Sequence, residues 1–340
     1  MTIPDKELVF WLPPWSVLKA QFAASPRLAS TLQRADLHRL EAGETAQLAR
    51  AFDVLPRDIA VAPLTRQLDA GDAMGFTWLR ADPGSVRADM ASARLLSCGA
   101  ELGLSAQDSE ALLRPLKPLF GDEGFPISAP VPSRWYVCLP ADVRLPRFAP
   151  PEAVFGDDLL AHMPDGPQGQ RWRRLMSEAQ IILHNHPVNA ARAKAGRLPV
   201  NTVWFWGAGR LPDHVQTGLG LAFTDDPLVQ ALCQRAGTTA RSRTDEFPAA
   251  MAPVEAVIAS DSAWDASILM RHGGVADGPV LFDLRDQTRL TALENRWLAA
   301  ALDAVAKGHV NALRLDFADG LVLHWRSAYR WRFWRRRLPA

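Results

Sequence analysis

The sequence predicts an α/β fold in which a mixed sheet is flanked by helices. Apolar segments of strand length alternate with segments whose apolar residues recur at helical spacing, and a hairpin signal lies near the carboxyl terminus. With 340 residues, 48% hydrophobic and 22% charged, the chain can build a sizeable core without disulfides or metals. We expect an amino-terminal α/β segment over residues 1–80, separate or not, and a main α/β domain over residues 81–340.

The first part of the chain predicts short strands between helices. In order, the expected elements are a strand over residues 7–12, helices over 25–52, a short strand over 61–64, a strand over 75–80 and helical periodicity over 85–104. Pro13-Pro14 ends the first strand, because proline donates no ladder hydrogen bond. Asp82-Pro83-Gly84 is a strong turn signal and is expected to close the strand over residues 75–80.

The central and carboxyl-terminal parts continue this alternation. Ser105 is expected to cap a helix, with Asp108 three residues later. Residues 169–184 are the clearest amphipathic helix, since Trp172, Leu175 and other apolar residues form one stripe. The further expected elements are strands over residues 134–139, 200–206 and 280–284, helices over 227–235 and 290–306, and a hairpin of residues 310–317 and 321–325 around Asp319-Gly320.

Charge and cysteine usage limit the class of protein. The formal net charge of +1 gives no overall field that would attract nucleic acid or an anionic membrane. Cys98, Cys138 and Cys233 are too few and too widely spaced for a disulfide framework or a zinc knuckle, which predicts a cytoplasmic protein. No window approaches the roughly 20 apolar residues of a membrane span, and the short apolar start lacks the basic residues of a signal peptide.

Polar side chains are concentrated just after the helix over residues 169–184. Pro187 disfavours helical conformation at the preceding residue, so this helix should end near His184. A helix end followed by a turn can collect imidazole, amide and guanidinium groups, and Arg192 can hold an anion through two hydrogen bonds. We therefore predict a pocket for a small anionic ligand. The same side chains would alternatively cap helices and satisfy backbone groups.

An aromatic segment, Trp204-Phe205-Trp206-Gly207-Ala208-Gly209, follows the polar cluster. On a strand the two tryptophans share one face, and the glycines permit close approach of a ligand or of another backbone segment. Plain packing of the tryptophans is the alternative. The candidate ligand-binding residues are Arg134, His184, Asn185, His186, Asn189, Arg192, Asn201, Trp204 and Trp206.

These motifs resemble a known family. Leu183-His184-Asn185-His186-Pro187-Val188-Asn189, then Arg192 and Trp204-Phe205-Trp206-Gly207, with Arg134-Trp135-Tyr136 upstream, resemble the RpfE-type regulatory proteins of bacteria, often described as phosphoglycerate mutase-like. A more distant similarity is to the archaeal-type cofactor-independent phosphoglycerate mutases. The second resemblance implies a degenerate alkaline-phosphatase-like architecture, and an active member of that family uses two divalent metals and a phosphorylated serine.

The chain departs from the mutase pattern where the chemistry would occur. It lacks an amino-terminal Asp-Gly-x-x-Asp element, an Asp-Ser-x-Gly nucleophile turn and the family's histidine ligand run; Asp261-Ser262 and Arg271-His272-Gly273-Gly274 are the nearest substitutes. We therefore expect a non-catalytic regulatory or accessory protein without cofactor, which binds a small anionic metabolite or a protein partner. The alternative is an active mutase or metal-dependent phosphatase using a divalent metal such as Mn or Mg.

The carboxyl terminus is basic and aromatic. Residues 326–337 contain six arginines interleaved with Tyr329, Trp331, Phe333 and Trp334. Such a segment can pack on the protein's own surface, with arginine stems covering rings, or bind phosphate groups of an anionic partner or a membrane surface. Because no nucleic-acid recognition motif accompanies it, nucleic acid is disfavoured as a partner, and no membrane is expected as one.

Overall fold

The computed structural model describes residues 7–88, 92–247 and 278–332. The strands are β1 (Glu7–Leu12), β2 (Asp36–Arg39), β3 (Phe52–Leu55), β4 (Thr77–Ala88), β5 (Ala93–Cys98), β6 (Ile127–Val131), β7 (Arg134–Leu139), β8 (Thr202–Arg210), β9 (His214–Thr217), β10 (Leu221–Phe223), β11 (Thr239–Arg241), β12 (Val280–Asp283), β13 (Ala312–Phe317) and β14 (Leu321–Arg326).

Helices alternate with these strands. They are α1 (Trp15–Lys19), α2 (Pro26–Leu32), α3 (Glu44–Ala51), α4 (Val61–Ala70), α5 (Ala106–Leu113), α6 (Leu116–Asp122), α7 (Pro151–Val154), α8 (Gly166–His184), α9 (Pro187–Lys194), α10 (Pro227–Ala236), α11 (Leu290–Leu293) and α12 (Ala299–Ala306). A π-helical turn, Glu294–Leu298, joins α11 to α12, so the helix expected over residues 290–306 forms with one irregular turn. Short 3₁₀ turns are Ala20–Ala24, Gly99–Leu102, Leu159–His162 and Ser327–Trp331.

The chain folds into two compact units. The first combines residues 1–57 with 213–340, and the second is residues 58–212. This division differs from the one expected at residue 80, because residue 80 lies inside β4 of the second unit. Residues 7–12 cannot build their sheet locally: β1 pairs in parallel with β12 and β13, and the paired residues are 272 positions apart for Leu8 and Val280 and 305 apart for Glu7 and Ala312.

The first unit contains a seven-stranded mixed sheet, as expected. Its order is β11-β10-β12-β1-β13-β14-β2, and the first five strands are parallel. The last two strands add antiparallel pairs, and the hairpin between β13 and β14 turns at Gly320, whose φ of 81° suits glycine. Helices α1, α2, α11 and α12 contribute buried residues to the core beside this sheet. The unit is therefore a mixed α/β fold with flanking helices.

The second unit contains a five-stranded antiparallel sheet in which β4 pairs with β5, β7 and β8. Strand β4 runs straight through Asp82-Pro83-Gly84, so the turn predicted there is wrong, and so is the helical periodicity expected over residues 85–104. Gly84 is required by packing rather than by a turn, since a Cβ there would lie 2.7 Å from Thr202 Cγ2. Local turn propensity is overridden by the neighbouring strands.

Helix α8 packs its apolar stripe on this second sheet. Trp172, Leu175, Met176, Ala179 and Leu183 are buried in one cluster with residues of β8. The expected amphipathic helix is confirmed, and it positions the motif residues that follow it. Among the described helices, none is long and apolar enough to cross a membrane.

Candidate functional site

The turn between α8 and α9 is built as the sequence predicts. Helix α8 ends at His184, Asn185 is its C-cap, and Pro187 starts α9. His186 caps α9, because its Nδ1 accepts a hydrogen bond from the backbone N–H of Val188 at 3.3 Å. The side chains of His184 and Asn185 lie exposed on the surface, and the Asn185 amide donates to the carbonyl of Ile181.

Asn189 is buried and bonds to the main chain on both sides. Its Nδ2 donates to the carbonyls of Leu183 at 2.8 Å and Val200 at 2.9 Å, and its Oδ1 accepts from the N–H of Val200 at 2.8 Å. These three bonds use both of its amide donors and tie the end of α8 to the segment that enters β8. The side-chain amide of Asn189 therefore forms its hydrogen bonds within the fold.

Arg192 also donates hydrogen bonds to main-chain carbonyls. Its Nε donates to the carbonyl of Leu198 at 2.8 Å and its Nη2 donates to the carbonyl of Leu102 at 2.7 Å. The residue is only 3% exposed, and burial lowers the pKa of its guanidinium. Its Nη1 is buried without a hydrogen-bond partner among the described residues. The guanidinium closes the loop after α9 rather than facing solvent.

Asn201 and Arg134 have protein partners as well. The Asn201 amide exchanges two hydrogen bonds with the backbone of Val86, both at 2.8 Å, and so extends the pairing of β8 with β4. Arg134 forms a bidentate ion pair with Asp69, at 2.7 and 2.6 Å, and Tyr136 donates to the same carboxylate at 2.6 Å. Both residues support the second sheet.

The two tryptophans of β8 donate to different acceptors. Trp204 Nε1 donates to the carbonyl of Ala149 at 2.9 Å, and Trp206 Nε1 donates to Asp82 Oδ2 at 2.8 Å. Phe205 packs against the ring of Trp172, with centroids 4.9 Å apart. The aromatic motif therefore fixes β8 in the sheet and in the core. The strand expected over residues 200–206 forms, and it continues through both glycines to Arg210.

Sequence reasoning missed a buried ion pair at the centre of this sheet. Arg80 donates to both oxygens of Asp82, at 2.9 and 2.7 Å, and its guanidinium lies between the rings of Tyr136 and Trp206, 5.3 and 5.1 Å from their centroids. Burial raises the pKa of the Asp82 carboxyl, against the opposing charge of Arg80. Because a turn was predicted at Asp82, the sequence did not indicate this ion pair within a strand.

Among the described residues, the nine predicted side chains mostly contact groups of the protein itself. Eight of them, all but His184, bond to a backbone group or a carboxylate, although Asn185 is exposed like His184. Three cavities in the described part of the chain, of about 380, 480 and 550 Å³, are lined by other residues. The alternative of caps and satisfied backbone groups describes these contacts better than the predicted anion pocket.

The glycines of the aromatic motif serve close packing of another segment. A Cβ on Gly209 would lie 2.4 Å from the Cβ of Ala60, and one on Gly207 would lie 3.0 Å from the Cβ of Val61. Both neighbours lie at the start of α4. The sequence allowed either a ligand or another backbone segment to approach these glycines closely. In the structure a backbone segment of the same unit lies beside them.

Gly209→Ala should therefore lower the free energy of unfolding by about 2 kcal/mol through overpacking against Ala60. Urea denaturation followed by circular dichroism would measure the change. Gly121→Ala is the matched control: Gly121 lies in α6 with open space around it, so alanine there should leave stability unchanged or slightly raise it. Equal stability of the two variants would contradict the close packing of β8 on α4.

A second group of polar residues lies in the first unit, at the carboxyl edge of the parallel strands. In this class of sheet, ligand sites are usually found outside the carboxyl ends of the strands. Asp283 of β12 and Asp316 of β13 are both in register with Trp11 of β1, so the two carboxylates flank the central strand. A cavity of about 380 Å³ opens beside Asp283. Sequence reasoning did not single out either aspartate.

Arginines hold both carboxylates. Arg285 donates to Asp283 from Nε at 2.8 Å and from Nη2 at 2.7 Å, and the same Nη2 donates to Asp226 at 2.7 Å. Arg50 donates to Asp316 from Nε at 3.0 Å and from Nη2 at 2.6 Å. Burial alone would lower the pKa of Arg285, but Asp283 and Asp226 more than offset it and raise that pKa.

Arg243 completes this cluster. Its two terminal nitrogens donate to the carboxylate of Asp286, and Nη1 also donates to the carbonyl of Asp283 at 2.8 Å. The hydrogen bonds from Arg243 lower the pKa of Asp286. Three guanidinium groups thus pair with four carboxylates at this edge. We name Arg50, Arg243, Arg285 and their carboxylate partners the arginine–carboxylate cluster.

This donor set does not fit a pair of divalent metals. Metal ions need carboxylate oxygens that are free to coordinate, and fixed cations beside those oxygens repel a second cation. The central strand contributes no ligand at its end, because β1 runs into Pro13-Pro14. Within residues 7–88, 92–247 and 278–332, no three histidine, cysteine or acidic side chains converge as a metal site. Asp261, Ser262 and His272 lie outside the described residues.

The described residues define a mixed α/β protein of two units with an arginine–carboxylate cluster at the carboxyl edge of its larger sheet. Part of the chain is similar to phosphoglycerate mutases. It is 38% identical over 63 residues to a probable 2,3-bisphosphoglycerate-independent phosphoglycerate mutase of Geobacter sulfurreducens, and 33% identical over 63 residues to such a mutase of Methanosarcina mazei. Each match covers 18% of this chain and 16% of the relative. No protein-family model matches the chain.

Solved structures give only weak similarity. The cofactor-independent phosphoglycerate mutase of Thermoplasma acidophilum aligns over 95% of this chain and 90% of its own, with 16% identity and a TM-score of 0.41. The PH0037 protein of Pyrococcus horikoshii aligns over 95% and 87%, with 13% identity and a TM-score of 0.45. The distant mutase similarity expected from the motifs is thus found in a short segment of sequence.

Proposed function

We propose that this chain is a phosphoglycerate mutase-like protein of the RpfE type that acts as a regulatory or accessory binding protein and catalyses no phosphoryl transfer. The observation that carries the proposal is the arginine–carboxylate cluster. Asp283 and Asp316 flank the central strand where an enzyme of this architecture would need metal ligands, and each is held by two hydrogen bonds from an arginine. Each of these two carboxylates therefore has a guanidinium counter-charge without a metal.

The motif residues support the same conclusion. Asn189, Arg192 and Asn201 hold main-chain groups, and Arg134 holds Asp69, so the motifs that resemble the mutases act here as a structural frame. Resemblance in such a frame would preserve a fold without preserving a reaction. We propose a protein as the partner of this chain, and a small anionic metabolite as the alternative.

An activity assay tests the proposal directly. The purified chain should convert no 3-phosphoglycerate and hydrolyse no p-nitrophenyl phosphate with Mn²⁺ or Mg²⁺ present, while one of the mutases named above serves as the positive control. The opposite outcome, metal-dependent turnover that disappears in Ser262→Ala, would establish an enzyme whose reacting residues lie in the segment 248–277. That result would favour the mutase or phosphatase alternative.

Thermal denaturation separates the two kinds of partner. A ligand at 100 times its dissociation constant stabilises the folded state by about 2.7 kcal/mol. We expect the melting temperature to be unchanged by Mn²⁺, phosphate or 3-phosphoglycerate, since the guanidinium groups of the cluster are already neutralised. A dose-dependent rise with either anion would instead favour the small anionic metabolite, and a rise with Mn²⁺ would favour a metal site.

A further inference from the structure

The carboxyl terminus is the part of the chain where basic residues are not offset by acidic ones. Residues 320–340 contain six arginines and no acidic residue. The other 319 residues contain 32 of the 38 lysines and arginines and all 37 acidic residues, a formal charge of −5. A net charge of +1 therefore conceals a strongly basic segment on an acidic protein, and such asymmetry is typical of a surface that binds an anionic partner.

The structure joins the start of this segment to the edge strand of the larger sheet. The 3₁₀ turn Ser327–Trp331 follows β14, and Arg34 donates from Nη1 to the carbonyl of Arg330 at 2.6 Å. Arg332 donates to Asp36 of β2 at 2.6 Å, and its guanidinium stacks 3.4 Å from the Tyr329 ring centroid. We name residues 34–40 and 326–332 the basic edge.

Apolar side chains lie exposed on the basic edge. Trp331 is 67% exposed, Leu40 50% and Leu37 42%. The guanidinium of Arg330 lies 5.0 Å from the Trp331 ring centroid, and Arg39 and Arg326 are exposed nearby in sequence and on neighbouring strands. Arginines and uncovered apolar groups, including a ring that carries an N–H donor, therefore lie along one edge of the sheet, with Leu37 and Arg39 on one face and Arg326 on the other.

The sequence analysis did not expect a membrane as a partner, but from the exposed arginines and apolar groups of the basic edge we infer that it binds the surface of an anionic phospholipid bilayer as a peripheral contact. Arginine pairs with lipid phosphates through two hydrogen bonds, while tryptophan and leucine enter the boundary between headgroups and acyl chains. Contact of this kind needs no spanning helix. A single-stranded nucleic acid would instead need a groove that follows its phosphates, and the exposed leucines would contribute nothing to it.

The basic edge is anchored in the core of the first unit, and further arginines follow it in the sequence. Trp325 and Leu323 of β14 are buried in the core of the first unit, so the edge is anchored on a rigid strand. Arg335, Arg336 and Arg337 follow in the sequence and add charge of the same sign. Binding should therefore depend on ionic strength, because added salt screens exposed charges.

Vesicle sedimentation with the full chain tests this inference. We expect the chain to sediment with vesicles that contain phosphatidylglycerol, to remain in solution with vesicles of phosphatidylcholine alone, and to dissociate as salt is raised. R39A/R326A/R330A should bind about 100-fold more weakly, from roughly five-fold for each arginine near an anionic surface. Trp331→Ala should also bind more weakly, with unchanged circular dichroism because this ring is exposed.

A charge-matched control separates the basic edge from overall charge. R144A/R147A/R197A removes three exposed arginines from the second unit and should bind vesicles as the parent does. Equal weakening in both triple variants, or no binding to anionic vesicles by the parent, would overturn the inference. So would fluorescence anisotropy showing tight binding to an oligothymidylate together with no vesicle binding, which would assign the edge to nucleic acid.

Discussion

Replacing Asp82 with asparagine should lower the free energy of unfolding by about 3–5 kcal/mol, the largest single effect we expect in this protein. Asp82 is 1% exposed and receives both hydrogen bonds of the Arg80 fork, together with one from Trp206. Asparagine keeps the shape of the side chain but removes its charge. Arg80 would then remain as a buried cation between two aromatic rings, without a counter-charge.

Urea denaturation followed by circular dichroism would measure this loss. Asp142→Asn is the control, because Asp142 is exposed in the same unit. The free energy of unfolding of this variant should stay within about 0.5 kcal/mol of that of the parent. Arg80→Met combined with Asp82→Leu removes both charges and should recover much of the loss. A cost below about 1 kcal/mol for Asp82→Asn would mean that water reaches the pair, as at an exposed ion pair.

Arg192→Ala should lower the free energy of unfolding by about 3 kcal/mol. The variant loses two charged hydrogen bonds and leaves the carbonyls of Leu198 and Leu102 without this donor. Release of a buried guanidinium offsets part of that cost. Arg192→Lys should recover little, since a single ammonium cannot reproduce the fork that spans these two segments.

Lys194→Ala is the matched control for Arg192, because Lys194 is exposed on the same helix. It should change stability by less than about 0.5 kcal/mol. The sequence alone suggested that Arg192 binds an anion. A stable Arg192→Ala protein with a weaker phosphate-dependent rise in melting temperature would restore that interpretation and remove the structural one.

Local sequence patterns predicted several elements correctly, although the short strand expected over residues 61–64 is wrong, because helix α4 (Val61–Ala70) begins there. The strand at residues 7–12, the helix ending at His184 and the hairpin at Gly320 depend on apolar spacing, proline and glycine, which act within a few residues. Ser105 accepts from the N–H of Asp108 at 3.0 Å as its N-cap, again a contact within one turn. Each of these features follows from covalent geometry and local hydrogen bonding.

Predictions that needed distant partners were less successful. Asp82-Pro83-Gly84 has the composition of a turn, but β5, β7 and β8 hold it within a long strand. The polar cluster after α8 has the composition of a ligand pocket, but Asn189, Arg192 and Asn201 face main-chain groups. A side chain's type shows which bonds it can form, and only its neighbours decide which bonds it does form.

The sequence by itself determined the α/β class, the end of helix α8 at His184, the distant similarity to phosphoglycerate mutases and a carboxyl terminus with six arginines and no acidic residue. Tertiary structure alone decided that residues 1–57 join residues 213–340 in one unit, and that Asp283 and Asp316 meet Arg285 and Arg50 beside the central strand. The physical reason is the separation of the residues along the chain. The spacing of apolar residues and the hydrogen bonds of caps and turns depend on residues within one or two turns of each other. The ion pairs of Asp283 and Asp316 depend instead on strands that come together from opposite ends of the chain.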